Sequence, residues 1–163
     1  MLDMKYIIGI DIGTTNIKGT LYSSDGDFIS NHSIAYESYT PEESYHEQNP
    51  DDWVSGFLHI LEKLLISNDV KENLEAISIS TQGGTVVLVD KDFNPLRRAI
   101  TWLDRRSAET LKNNRELLAK NIDCYNKTRW RLDTNISFMP LYWLRENERE
   151  IFNKIHKVLY VND

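Results

Sequence analysis

Along the first third of the chain, apolar residues recur with the two-residue period of β-strands. Residues 6–10, Tyr-Ile-Ile-Gly-Ile, form a β-branched apolar run of the kind expected of a strand buried on both faces. Residues 17–22 alternate: Ile17, Gly19 and Leu21 point one way, Lys18, Thr20 and Tyr22 the other. Asp25-Gly26 marks a tight turn, because the pair tolerates positive φ. Residues 28–36 read as a third strand, which makes an antiparallel meander of the first three.

After a polar loop at 37–48 the period changes to that of a helix. Asn49 suits the N-cap, Pro50 the first helical position, and Asp51 and Asp52 the positive end of the dipole. Trp53, Val54, Phe57, Leu58, Leu61, Leu64 and Leu65 form its apolar stripe, read as core. Strands are expected at 74–80 and 85–89, separated by the polar stretch Thr81-Gln82-Gly83-Gly84. Helices are expected at 106–120, from a Ser137 cap through Pro140 with Leu141, Leu144 and Trp143 inward, and at 148–155. A last strand is expected at 157–161. The order gives an α/β fold built on a mixed five-stranded sheet, its first three strands antiparallel, flanked by helices. The chain stops at Asn162-Asp163, directly after a strand that a layered sheet would cover with a helix, so the whole of 1–163 is read as one incomplete lobe.

The bulk composition narrows the partners. The 163 residues suit one domain with a core of its own, and 40% hydrophobic with 27% charged residues is ordinary globular usage. A net charge of −6 argues against nucleic acid, so Arg129 and Arg131 around Trp130 read as a surface segment. Cys124 is the single cysteine and no His/Cys pair has zinc spacing, which fits a reducing, cytoplasmic setting. No apolar run is long enough for a membrane span. A homodimer is allowed for.

The first hairpin carries the clearest chemistry. Its strand runs into Asp11-Ile-Gly-Thr-Thr15 and returns through Lys18. A tight turn there can point backbone N–H groups to one side as an anion-binding concavity. Gly13 permits the bend and a close approach, the Thr14 and Thr15 hydroxyls add donors, and Lys18 adds a point charge. The Asp11 carboxylate, at the strand end, suits Mg²⁺ held partly through waters. The stretch matches neither G-x-x-x-x-G-K-[ST] nor G-x-G-x-x-G, and a plain polar hairpin has the same composition.

The segment strand-Asp-x-Gly-Thr-Thr-x-x-Lys resembles the first phosphate motif of the actin/Hsp70/sugar-kinase superfamily, and within it the FGGY carbohydrate kinases. Further segments resemble that family in the same order: Glu47-Gln-Asn-Pro-Asp-Asp-Trp53 before the long helix, Ile77-Ser-Ile-Ser-Thr-Gln-Gly-Gly84 leading to the sugar, Ala99-Ile-Thr-Trp-Leu-Asp-Arg-Arg106, and the region 138–163.

The resemblance implies a ribonuclease H-like, actin-like ATPase lobe, the N-terminal one of two. The intact protein is then expected to transfer the γ-phosphoryl of ATP, with Mg²⁺, to a sugar hydroxyl, with a pentulose such as xylulose as the leading acceptor. Gluconate or another sugar is the alternative, as is a non-catalytic ATP-binding module of chaperone or regulatory type. By resemblance Asp11 serves the metal, and Gly13, Thr14, Thr15, Asn16 and Lys18 face the phosphates. Gln82, Gly83 and Gly84 form a wall of the sugar site, Trp102 gives the sugar an apolar face, and Asp104 and Arg105 supply hydrogen bonds. The catalytic base is expected beyond Asp163, so the chain alone should have negligible activity. Glycerol kinases carry Arg-Glu after the glutamine and xylulose kinases commonly Met-His. Gly83-Gly84 offers only backbone and water, which argues against glycerol and leaves the sugar open.

Overall fold

The computed structural model describes residues 4–121 and 123–163. In chain order the elements are β1 (Tyr6–Ile12), β2 (Asn16–Ser23), β3 (Phe28–Ala35), β4 (Glu47–Gln48), α1 (Pro50–Leu64), α2 (Asn68–Glu72), β5 (Leu74–Thr81), β6 (Val87–Val89), β7 (Ala99–Ile100), α3 (Ala108–Asn121), α4 (Cys124–Thr128), α5 (Phe138–Asn147), α6 (Arg149–Lys154) and β8 (Lys157–Leu159). Among the described residues they fall into two compact units, one built mainly from 4–37 and 49–82, the other from 38–48, 83–121 and 123–161.

In the first unit a four-stranded sheet runs in the order β3-β2-β1-β5. The meander β1–β3 is antiparallel, and β5 adds parallel to β1, with Ile10 opposite Ile79 and Asp11 opposite Ser80. The sheet therefore has four strands, not the expected five. The short strands β6 and β8, three residues each, pair with each other in a separate antiparallel ladder.

Helix α1 covers one face of this sheet. Asn49 caps it, its side-chain oxygen accepting from the Asp51 N–H at 3.3 Å, and Pro50 opens the first turn. The helix approaches β2 so closely that a Cβ on Gly19 would stand 2.3 Å from Ile60 Cγ2 and 2.8 Å from Leu64 Cδ1. On the helix side, a Cβ on Gly56 would stand 2.7 Å from Ile17 Cδ1. This fit re-centres the buried stripe on Trp53, Gly56, Ile60 and Leu64. Val54 and Leu58, expected inward, are 61% and 58% exposed because glycine, not a large apolar residue, faces the sheet. β1 is buried on the α1 side through Ile8, Ile10 and Ile12 but not on both faces, since Ile7 is 36% exposed.

The second unit holds the ladders β4:β7 and β6:β8 and a core of Val86, Leu88, Ile100 and Leu144. Leu111, Leu118 and Met139 form a second cluster, joining α3 to α5. Ser137 precedes α5 as expected but makes no side-chain cap bond; its backbone is already helical. Within the supposed loop 37–48, Glu47 and Gln48 are buried in strand β4. Around them lies an ion network. Arg97 pairs with Glu47 and Glu148, and Arg106 Nη2 donates to Glu47 Oε1 at 2.6 Å and to Asp104 Oδ2 at 2.8 Å.

Candidate functional site

In the first unit, the chemistry gathers at one end of the sheet. The C-terminal ends of the parallel strands β1 and β5 meet there, the edge at which open α/β sheets present ligand sites. Asp11 and Lys18 are register partners across β1 and β2, and both are exposed on the face turned away from α1. Ser80 on β5 donates its hydroxyl to Asp11 Oδ1 at 2.6 Å, which orients the carboxylate. Gln82 follows β5, its N–H donating to the Ile12 carbonyl at 2.8 Å, so it stands beside this turn with a buried side chain.

The turn between β1 and β2 is held tightly. The Gly13 N–H donates to the Asn16 carbonyl at 3.0 Å, so this amide closes the turn and is not offered to a ligand. Gly13 has no positive φ; it is needed for room. A Cβ there would lie 3.3 Å from the Asn16 carbonyl oxygen and 3.4 Å from Asp11 Oδ2. The Tyr36 hydroxyl donates to the Gly13 carbonyl, and the Tyr36 N–H reaches the Thr15 carbonyl at 3.4 Å. Asn16 is tied into the sheet, its Nδ2 donating to Ser33 Oγ at 3.3 Å. Thr14 is half-buried, and Thr15 and Lys18 are exposed. Burial pushes the Tyr36 phenol up to about 12, and the negative charge of Asp11 adds to the rise.

Gly83, Gly84, Trp102, Asp104 and Arg105 belong to the second unit. Gly84 has φ +73°, and a Cβ on it would lie 3.1 Å from Trp102 Cβ and 3.3 Å from the Asn135 carbonyl oxygen. Gly84 therefore lies against the base of Trp102, a side chain that is 36% exposed. Arg105 is exposed; its N–H donates to the Ser44 carbonyl at 2.8 Å and its Nη1 to Thr134 Oγ1 at 2.6 Å. The 133–135 turn thus joins Arg105 to the Gly84–Trp102 contact, a role that nothing in its sequence pattern announces.

Asp104 faces inward. Its Oδ1 accepts from the Arg106 N–H and Nε, each at 2.9 Å, and its Oδ2 from the His46 N–H at 2.6 Å and Arg106 Nη2. With its carboxylate so engaged, Asp104 holds the Trp102–Arg106 segment in shape. Arg106, the last residue of the Ala99–Arg106 segment, lies over the rings of Tyr45 and Trp143 with its side chain fully buried. Burial works to lower its pKa, and Asp104 and Glu47 outweigh that, so the guanidinium is held above its ordinary value.

The family model of the FGGY family of carbohydrate kinases, N-terminal domain, matches residues 6–163. The chain belongs to the FGGY family. It is 33% identical over 161 residues to the xylulose kinase of Bacillus subtilis, covering 98% of this chain and 32% of that protein. It is 32% identical over 162 residues to the gluconokinase of Bacillus licheniformis, covering 98% and 31%. The gluconate kinase structure from Lactobacillus acidophilus superposes with a TM-score of 0.87 at 27% identity, over 97% of this chain and 32% of that one. This FGGY chain thus spans about a third of the length of these relatives, and its fold is the actin-like ATPase fold of FGGY sugar kinases.

The FGGY family implies ATP, typically with Mg²⁺. Among the described residues no cluster of three or more His, Cys, Asp or Glu could hold a metal ion. A lone exposed carboxylate oriented by Ser80 still fits Mg²⁺, which keeps several waters and takes one or two carboxylates with phosphate oxygens. No helix among the described residues is long and apolar enough to cross a membrane.

Proposed function

We propose that this chain supplies a phosphate seat and a sugar-contacting surface to an ATP-dependent carbohydrate kinase, with a pentulose such as xylulose as the leading acceptor. The observation that carries the reading is the Asp11–Lys18 pair, opposite each other on an open sheet face at the end of β1, with the Gly13 turn between them. FGGY membership supports a kinase over a non-catalytic ATP-binding module.

In this mechanism the chain positions charge more than it makes bonds. Lys18 and the threonine hydroxyls at Thr14 and Thr15 hold phosphate oxygens, and Gly13 and Asn16 shape the turn that presents them. Asp11, kept in one orientation by Ser80, would hold Mg²⁺, which when bound neutralises phosphate charge. In the second unit Trp102 offers an apolar ring, and the Gly83 and Gly84 backbone offers hydrogen bonds without side chains. Asp104 acts through the fold of that segment.

One observation favours gluconate as a second reading. The Arg105 guanidinium is exposed and fixed by Thr134, and a fixed guanidinium suits the carboxylate of an aldonate, which xylulose lacks.

The test is binding and turnover. Magnesium pyrophosphate should perturb the amides of 13–18 in the chain, and Asp11→Asn with Lys18→Gln should abolish the effect. With ATP, Mg²⁺ and a panel including xylulose and gluconate, the chain alone should show negligible turnover. The longer polypeptide that carries it should phosphorylate one of them, and loss of gluconate turnover alone in Arg105→Gln would select the second reading. An undisturbed turn in the presence of magnesium pyrophosphate would refute the phosphate seat.

A further inference from the structure

An anion seat built from backbone has an electrostatic requirement beyond its donors. The carbonyl oxygens of the same turn carry partial negative charge and must point elsewhere. In the β1–β2 turn the carbonyls of Gly13, Thr15 and Asn16 are each taken by a donor of the protein: the Tyr36 hydroxyl, the Tyr36 N–H and the Gly13 N–H. Two of these three donors belong to Tyr36, which lies just beyond β3 and was not among the residues singled out from the sequence. Its side chain clamps one end of the Gly13–Thr15 segment and its backbone clamps the other.

We propose that Tyr36 is a positioning residue for phosphate binding, holding the Gly13 and Thr15 carbonyls away from the anion and so setting the plane of the peptide that joins Gly13 to Thr14. This inference rests on the phosphate-seat reading above.

The physical argument runs through the peptide plane. A trans peptide points its C=O and the following N–H in opposite directions, so fixing the Gly13 carbonyl fixes the direction of the Thr14 N–H. The phenol is suited to the task because a tyrosine hydroxyl is protonated, and therefore a donor, throughout the physiological range, and burial pushes its pKa higher still. Without that hydroxyl the Gly13 carbonyl loses its partner, and the peptide plane gains freedom to turn its negative end toward an incoming phosphate. The backbone bond from Tyr36 to Thr15 does not depend on the side chain, so Tyr36→Phe isolates the hydroxyl.

The experiment uses the chain itself with magnesium pyrophosphate as the probe, read by amide and carbonyl NMR. In the ligand-free protein Tyr36→Phe should move the Gly13 carbonyl carbon resonance, while Tyr22→Phe, an exposed tyrosine on β2, should not. Tyr36→Phe should also weaken pyrophosphate binding about five- to tenfold, the scale of one hydrogen bond whose part-buried acceptor loses its partner. Tyr36→His, which keeps a ring and a donor, should recover part of the loss, and it carries the test if Tyr36→Phe loses the dispersed amide signals of the sheet.

An unmoved Gly13 carbonyl would overturn the proposal, and so would a moved carbonyl with unchanged pyrophosphate affinity. A wild-type chain that ignores pyrophosphate while its Gly13 carbonyl responds to Tyr36→Phe would overturn the phosphate seat, and the positioning role with it. That result is distinct from the other two because the clamp itself is then seen to be present.

Discussion

Asp104 accepts hydrogen bonds from Arg106 at both carboxylate oxygens, through a backbone N–H, Nε and Nη2, at 2.8 and 2.9 Å. The pair is buried, so removing Asp104 strips Arg106 of the partner of its Nε and backbone N–H and leaves Glu47, already shared with Arg97, as its remaining ion-pair partner. Asp104→Ala should lower the unfolding free energy by about 3 kcal/mol, on the scale measured for broken buried ion pairs. Urea denaturation of the chain checks this. An Asp104→Ala protein of unchanged stability would return the carboxylate to the list of groups free to meet a sugar.

Gly19→Val should be among the most damaging single changes in the first unit. The added side chain meets Ile60 and Leu64 well inside contact distance, and those two are fully buried. Overpacking of this kind costs about 1–3 kcal/mol or more. The expected outcome is a lowered thermal midpoint with loss of α1 docking, followed through hydrogen exchange of the β2 amides.

Gly84→Ala should act locally in the second unit. The positive φ disfavours a Cβ, and the Cβ would press on Trp102 and the Asn135 carbonyl. A cost of about 1–2 kcal/mol follows for a non-glycine residue in this region. A shift of tryptophan fluorescence in the folded protein reports displacement of Trp102; the chain's other tryptophans serve as controls when replaced by phenylalanine.

Tyr36 also predicts a feature of alkaline stability. Its folded pKa stands near 12, above the ordinary 10.0, so the folded state holds the proton more tightly than the unfolded state. Its contribution is complete below pH 10 and is lost as pH rises through 12. Unfolding curves at pH 9 and pH 11.5 should therefore differ less in Tyr36→Phe than in the wild type.

Much of this was legible in the sequence because it is local. The alternation of Ile17, Gly19 and Leu21 against Lys18, Thr20 and Tyr22 placed β2 and its faces, since successive side chains of a strand must point to opposite sides. The Asn49-Pro50-Asp51-Asp52 start located α1, because capping depends on neighbours in the chain. The order of short motifs pointed to the FGGY family, which the match over residues 6–163 bears out.

What only the tertiary structure decided concerns partners distant in sequence. Val54 and Leu58 looked as inward as Trp53, and Gly19 and Gly56 together turned the helix the other way. Glu47 read as part of a loop until Arg97 and Arg106 closed on it. Tyr36 meets the Gly13 carbonyl 23 residues away, and Ser80 meets Asp11 at a separation of 69. The sequence by itself determined the longer elements, β1 to β3, α1 and β5, and which residues carry charge at the β1–β2 turn, while the short β4, α2, β7 and α4 were not legible in it. The direction of each carboxylate, carbonyl and peptide plane was left to the fold, because a hydrogen bond depends on positions that only folding brings within about 3 Å.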